Sequence, residues 1–261
     1  VTATISDAHA SGGNPPDVAV WRVQDLLGRP ELRIPDYQRP YAWTKRNVAQ
    51  LVEDIQLFTR NGDYRIGTVI LHRRSDQKEG EILDVVDGQQ RLTTLHLLAH
   101  VLKSAGYSPS TGTVAPLQLS PYNAERTDAR LRENHDFLVR LVADWGPDTF
   151  KSFADALFDQ CEVVVVILRN LDEAFQMFDS QNARGRPLYP TDLLKAFHLR
   201  EIGDAVRASR IREIVELWED VPAAHVNALF SEYLFKIKRW SNSRPVGKEG
   251  FLAAHIGMFK G

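Results

Sequence analysis

Val85-Val86-Asp87-Gly88-Gln89-Gln90-Arg91-Leu92-Thr93-Thr94-Leu95 is the stretch whose reading decides the fold. An apolar run over residues 82–86 stops at an Asp-Gly. A helical pattern follows, with Leu92, Leu95, Leu98 and Leu102 at three- to four-residue spacing. The stretch therefore predicts a strand, a tight turn and a helix. Asp87 is placed to cap that helix, and Gly88 frees the backbone at the corner. The first turn of a helix carries N–H groups without intrahelical partners and a partial positive charge. Arg91 adds a fork of donors suited to phosphate. Two readings stand on this chemistry: a phosphate-binding corner, and a capped helix with a surface arginine.

Upstream, residues 65–74 predict a strand with Ile66, Thr68, Ile70 and His72 on one face. The polar loop 75–80 turns it back into the strand at 82–86, so a hairpin delivers the corner. Thr44 caps a helix with Val48, Leu51, Val52, Ile55 and Phe58 on its apolar face. Before it, residues 33–43 hold two prolines and form an extended segment or ordered loop. Tyr37, Tyr41 and Trp43 alternate there with Arg33, Arg39, Lys45 and Arg46 against the single acid Asp36. Aromatic faces between guanidiniums suit base stacking with phosphate pairing, and equally a lid packed on the core. Residues 17–27 predict a short helix stopped at Gly28, and residues 1–16 a flexible leader.

Downstream, residues 104–121 are a Ser-, Gly-, Thr- and Pro-rich loop. Beyond it the chain turns mostly helical, over 122–145 and 148–160. Residues 162–168 (Glu-Val-Val-Val-Val-Ile-Leu) are the exception. A β-branched run this short is a strand buried on both faces, and it is expected to rejoin the sheet of the first half. A helix opens at Leu171 and stops near Gly185 and Pro187, and Thr191 is placed to cap the next one. Helices at about 204–218 and 222–240 complete the body, ending in the basic residues Lys236, Lys238, Arg239, Arg244 and Lys248. The expectation is an α+β chain: a leader over 1–16, a core over 17–110, and a helical half over 111–261 packed on that core.

The 261 residues are 43% hydrophobic and 25% charged, with a net charge of -2, which excludes a globally basic nucleic-acid binder. Any DNA contact must be local. One cysteine, Cys161, forbids an internal disulfide and a multi-cysteine metal site, and fits a reducing cytoplasm. It opens a very apolar strand and is read as a buried inert thiol. No apolar run reaches membrane-spanning length. The Walker phosphate loop, the G-x-S-x-G elbow and zinc-ligand cysteine pairs are missing. His96 and His100 share a helical face without the neighbouring Glu of a metalloprotease helix.

Three segments together resemble one family. Ile34-Pro35-Asp36-Tyr37-Gln38-Arg39-Pro40-Tyr41-Ala42-Trp43, Asp87-Gly88-Gln89-Gln90-Arg91-Leu92-Thr93 and Asn182-Ala183-Arg184-Gly185-Arg186-Pro187-Leu188 are similar, in order and spacing, to the GmrSD-type N-terminal domain. That family has a ParB/sulfiredoxin-like fold and serves modification-dependent restriction systems, the phosphorothioate-sensing SspE proteins among them. The resemblance implies a small sheet with packed helices, hydrolysis of GTP or another NTP, and sensing of modified DNA against phage. It implies Asp87, Gln89, Gln90 and Arg91 as catalytic residues, and Gly88, Arg91, Thr94, Asn182 and Gly185 around the nucleotide. Tyr37, Gln38, Arg39, Tyr41 and Trp43 would line the DNA-sensing surface, and Asp87 would hold Mg²⁺. The implied partners are modified DNA and a nuclease, either a C-terminal His-Asn-His domain or a separate subunit; a homo-oligomer stays open. A non-hydrolysing DNA-binding module and a scaffold that docks a nuclease remain as alternatives.

Overall fold

A computed structural model describes residues 15–35, 38, 40–76, 80–109, 113–119, 121–171, 173–174, 177, 190–191, 194–195, 198, 214, 217–218, 220–246 and 250–259. Its centre is a six-stranded mixed sheet. The strands are β1 (Asp17–Arg22), β2 (Leu32–Ile34), β3 (Tyr64–Asp76), β4 (Gly80–Asp87), β5 (Gln118–Leu119) and β6 (Cys161–Leu168), in the spatial order β1-β6-β3-β4-β2-β5. β3 and β4 form the predicted antiparallel hairpin. β6 runs parallel to β3 and antiparallel to β1, so the second half of the chain supplies an interior strand.

Both faces of the sheet are covered, which is why β6 reads as an unbroken Val-Ile run. On one face Cys161, Val163, Val165 and Ile167 meet α1 (Val23–Leu27), α2 (Lys45–Phe58), α3 (Gln89–Ser104), α4 (Pro121–Ala143) and α5 (Pro147–Asp155). On the other, Ile70, Val86, Val166 and Leu168 pack with Leu171, Ala174, Leu194, Phe235, Phe251 and Ile256 of the helical half. The α+β architecture is the one expected. α2 begins as predicted, with the Thr44 N–H donating to Asn47 Oδ1 at 3.0 Å in a capping box. A π-helical turn at Ala156–Gln160 leads from α5 into β6. Near the C-terminus α6 (Ala223–Ala228), a π-helical stretch Leu229–Leu234 and α7 (Phe235–Ser241) follow one another without a break.

Several local expectations are corrected. Residues 17–22 are strand, not helix: pairing of Asp17 with Ile167 through Arg22 with Glu162 overrides the local pattern, and only 23–27 are helical. β3 does not keep Ile66 and Ile70 on one face. Its register against β6 slips between Arg65 and Gly67, and this bulge puts Ile66 with Val69 and Leu71 while Ile70 turns to the opposite core. The loop at 104–121 contains the short strand β5. Thr191 does not cap its helix, since Pro190 and Thr191 are both already helical. Residues 1–14 of the expected leader lie outside the described residues. Among the described residues no helix is long and apolar enough to cross a membrane.

Candidate functional site

The corner between β4 and α3 is built by three departures from regular structure. Opposite Ile70 and Leu71 of β3, β4 skips from Asp87 to Val85, so Val86 is the bulged residue. β2 pairs with β4 at Leu32 and Arg33 and then runs into Pro35, which has no N–H to continue the ladder. The Gln38 carboxamide replaces it, donating from Nε2 to Val85 O at 2.9 Å and to Val86 O at 2.7 Å. Gly88 then turns the chain in the left-handed region, with φ 89° and ψ 5°. It occupies the capping position of α3, and Asp87 is the last residue of β4 rather than the cap the sequence suggested. A Cβ on Gly88 would stand 2.8 Å from Val69 Cγ2, so both its conformation and its closeness to β3 require glycine.

Arg91 lies in the first turn of α3, at the positive end of the helix dipole. Its guanidinium is largely buried, and desolvation lowers its pKa, with Asp87 and then Tyr64 acting in the opposite sense. Nη1 donates to Thr68 O at 3.2 Å. The space it fills comes from the β3 bulge: a Cβ on Gly67 would lie 2.8 Å from Arg91 Nη1 and 3.0 Å from Cζ. A buried cation at the positive end of a helix is unfavourable in isolation. An anion placed there would relieve both the dipole and the desolvation.

The segment at 40–43 is fastened to this corner by side chains from two helices. Gln90 Oε1 accepts from the backbone N–H of Ala42 at 2.7 Å and of Trp43 at 3.2 Å, while its Nε2 faces Pro40 O at 3.3 Å. Asn134 of α4 donates from Nδ2 to Trp43 O at 2.8 Å and to the Tyr41 hydroxyl at 3.1 Å. Tyr41 in turn meets Thr94 Oγ1 at 2.8 Å, and that hydroxyl donates to Gln90 O at 2.8 Å. Since the Thr94 proton is used on Gln90 O, Tyr41 donates to Thr94, and the bonds run Asn134 to Tyr41 to Thr94 to the α3 backbone. Thr127 Oγ1 accepts the Tyr41 N–H. Tyr41 is only 3% exposed, and burial raises its phenol pKa.

The structure thus brings Asp87, Gly88, Gln89, Gln90, Arg91, Thr94, Gln38, Tyr41 and Trp43 into one neighbourhood, with different duties. Gln38, Gln90, Tyr41 and Thr94 hold the loop to the corner. Trp43 is half-buried, and Gln89 is 5% exposed. Tyr37, Arg39, Asn182 and Gly185 lie outside the described residues. Two contributors went unnoticed in the sequence. Gly67 carried a signal, a glycine inside a strand pattern. Asn134 carried none, because its importance is purely one of position.

Two further titratable groups are shifted by burial. His96 donates from Nδ1 to Leu92 O at 3.0 Å, and burial depresses its pKa to about 4. The Cys161 thiol is buried and pushed up to about 12. Among the described residues no group of three or more His, Cys, Asp or Glu side chains could hold a metal ion.

Comparison with known families gives two matches. The family model of the GmrSD restriction endonuclease, N-terminal domain, covers residues 23–199. A family of unknown function, DUF7834, covers residues 210–261. No curated protein matches the chain.

Proposed function

Because the chain belongs to the family of the GmrSD restriction endonuclease N-terminal domain, and so to restriction systems directed against phage, we propose that it hydrolyses a nucleoside triphosphate in response to modified DNA. Its product is a signal to a nuclease domain or subunit. The observation that supports this reading most is Arg91, desolvated at the positive end of α3 in a slot opened by Gly67.

In this proposal Arg91 and the first N–H groups of α3 grip the phosphates of GTP or another NTP. Gly88 lets the backbone approach them. Gln90 is occupied with Ala42 and Trp43, so its part is to position the loop, and Gln89 orients the attacking water. Asp87 is one carboxylate beside a phosphate site. Mg²⁺ commonly takes one or two carboxylates with phosphate oxygens and water, so this donor set fits the ion when the substrate's phosphates complete it. Mg²⁺ there would neutralise phosphate charge. Asn182 and Gly185 are proposed to close the nucleotide site. The DNA-sensing surface is proposed on Tyr37, Gln38, Arg39, Tyr41 and Trp43, and a phosphorothioate is the modification it is suggested to read.

The test is phosphate release from GTP and ATP by the purified chain, alone and with phosphorothioated or unmodified duplex. Turnover that rises with modified DNA and disappears in Arg91→Ala, while the fold survives by circular dichroism, supports the proposal. DNA binding without turnover by the intact chain would replace it with a non-hydrolysing module.

A further inference from the structure

The buried polar residues of α3 are Gln89, Gln90, Thr93 and Thr94, all near its N-terminus; from Leu95 onward its buried positions are apolar. They make two pairs, Gln89 with Thr93 and Gln90 with Thr94. In each pair the residues are four apart, so one side chain lies a turn above the other on the same side of the helix. The second pair is fully employed. Gln90 Oε1 accepts from Ala42 and Trp43, and the Thr94 hydroxyl donates to Gln90 O at 2.8 Å while meeting Tyr41 at the same distance.

The first pair differs. Thr93 is 4% exposed, and its Oγ1 is closed off from solvent without a hydrogen-bond partner. Gln89 is as deeply buried, and its Oε1 faces Gln90 Nε2 at 3.4 Å, a long contact. An unpaired buried hydroxyl is unfavourable, and a valine would fill the same volume without that cost. The hydroxyl therefore needs a partner that a rearrangement at the corner can supply. Side chains on a helix tilt toward its N-terminus, so Thr93 leans over the turn that carries Gln89. The Gln89 carboxamide is a flexible polar group one turn away, and it belongs to the corner itself.

We propose that Thr93 is the positioning residue for Gln89. In the reacting state Gln89 Nε2 leaves its neighbour Gln90 and donates to Thr93 Oγ1, which leaves Gln89 Oε1 to accept a hydrogen bond from the attacking water. The proton of the Thr93 hydroxyl goes to Gln89 O, as that of Thr94 goes to Gln90 O. Thr93 does not touch the substrate, because its oxygen is enclosed; it acts through the carboxamide alone. This inference rests on the reading of the corner as a nucleotide-hydrolysing site with Gln89 at the water.

The test is steady-state phosphate release from GTP and ATP by the full chain with phosphorothioated duplex, together with thermal unfolding. Thr93→Val keeps the shape and removes the hydroxyl. Its unfolding temperature stays at or above that of the parent chain, yet kcat falls about tenfold or more while KM stays within about twofold. Thr93→Ser restores kcat, and Thr93→Ala, which only shrinks the side chain, repeats the loss. Gln89→Ala combined with Thr93→Val is no slower than Gln89→Ala alone, because the two residues act as one unit. Parent-like turnover by Thr93→Val overturns the inference and leaves the hydrolytic reading of the corner intact. So does a double variant slowed by both factors in full, or a loss that falls on KM. A parent chain that releases no phosphate overturns the reading and this inference together.

Discussion

Gly67 of β3 and the guanidinium of Arg91 occupy what would otherwise be the same space. A Cβ built on Gly67 stands 2.8 Å from Arg91 Nη1, 3.0 Å from Cζ and 3.2 Å from Nη2. The strand bulges at this point, and the bulge is the seat of the arginine. The β3–β6 pairing and the chemistry of the corner are thus one feature of the structure.

Gly67→Ala tests that relationship. The new methyl displaces Arg91, and φ of +145° is a conformation that alanine rarely adopts. We expect a loss of about 1–3 kcal/mol of stability in denaturant unfolding and a fall in phosphate release comparable with Arg91→Ala. Gly62→Ala is the control, with φ of +120° and nothing within 4 Å of its Cβ. If the two alanine variants lose turnover equally, Gly67 is not the seat of Arg91.

Gln90→Ala leaves the N–H groups of Ala42 and Trp43 without their acceptor. The expected cost is about 1–3 kcal/mol, and the amides of residues 42 and 43 exchange with solvent much faster while those in β6 do not. Unchanged exchange at 42 and 43 would show that the loop is held without Gln90, by Asn134, Thr127 and the Tyr41–Thr94 pair.

His96 makes stability depend on pH in a definite direction. Its folded pKa is depressed to about 4 from an ordinary 6.5, so between these values the unfolded chain binds the extra proton. Its contribution is complete above pH 6.5 and is lost as pH falls toward 4, by up to about 3 kcal/mol. Urea unfolding at steps from pH 7 to 4 should give a flatter profile for His96→Leu than for the parent chain. Parallel profiles would refute the assignment.

Cys161 is predicted to be chemically silent. A buried thiol raised to about 12 holds almost no thiolate near neutrality. Iodoacetamide at pH 8 should leave the folded chain unlabelled by mass spectrometry and modify it fully in guanidinium. Rapid labelling of the folded chain would mean that β6 opens locally.

Much of this was legible in the residues themselves. The apolar run ending at Asp87-Gly88 and the leucine spacing after it describe β4 and α3 closely, because both are local periodic patterns. The valine run of β6 announced burial on two faces for the same reason. Residues 17–22 misled because an edge strand this short leaves no period distinct from a helix; its partner lies well over a hundred residues away.

By itself the sequence determined the α+β class, the strand–glycine–helix corner and the residue types gathered there, since these follow from side-chain period and backbone freedom over a few neighbours. Only the tertiary structure decided what each residue does. It turned Asp87 from a helix cap into a strand end, gave Gln90 and Tyr41 to the loop, and seated Arg91 on Gly67. Those outcomes depend on register between distant strands, where a one-residue bulge reverses every side chain that follows, and no local pattern records it.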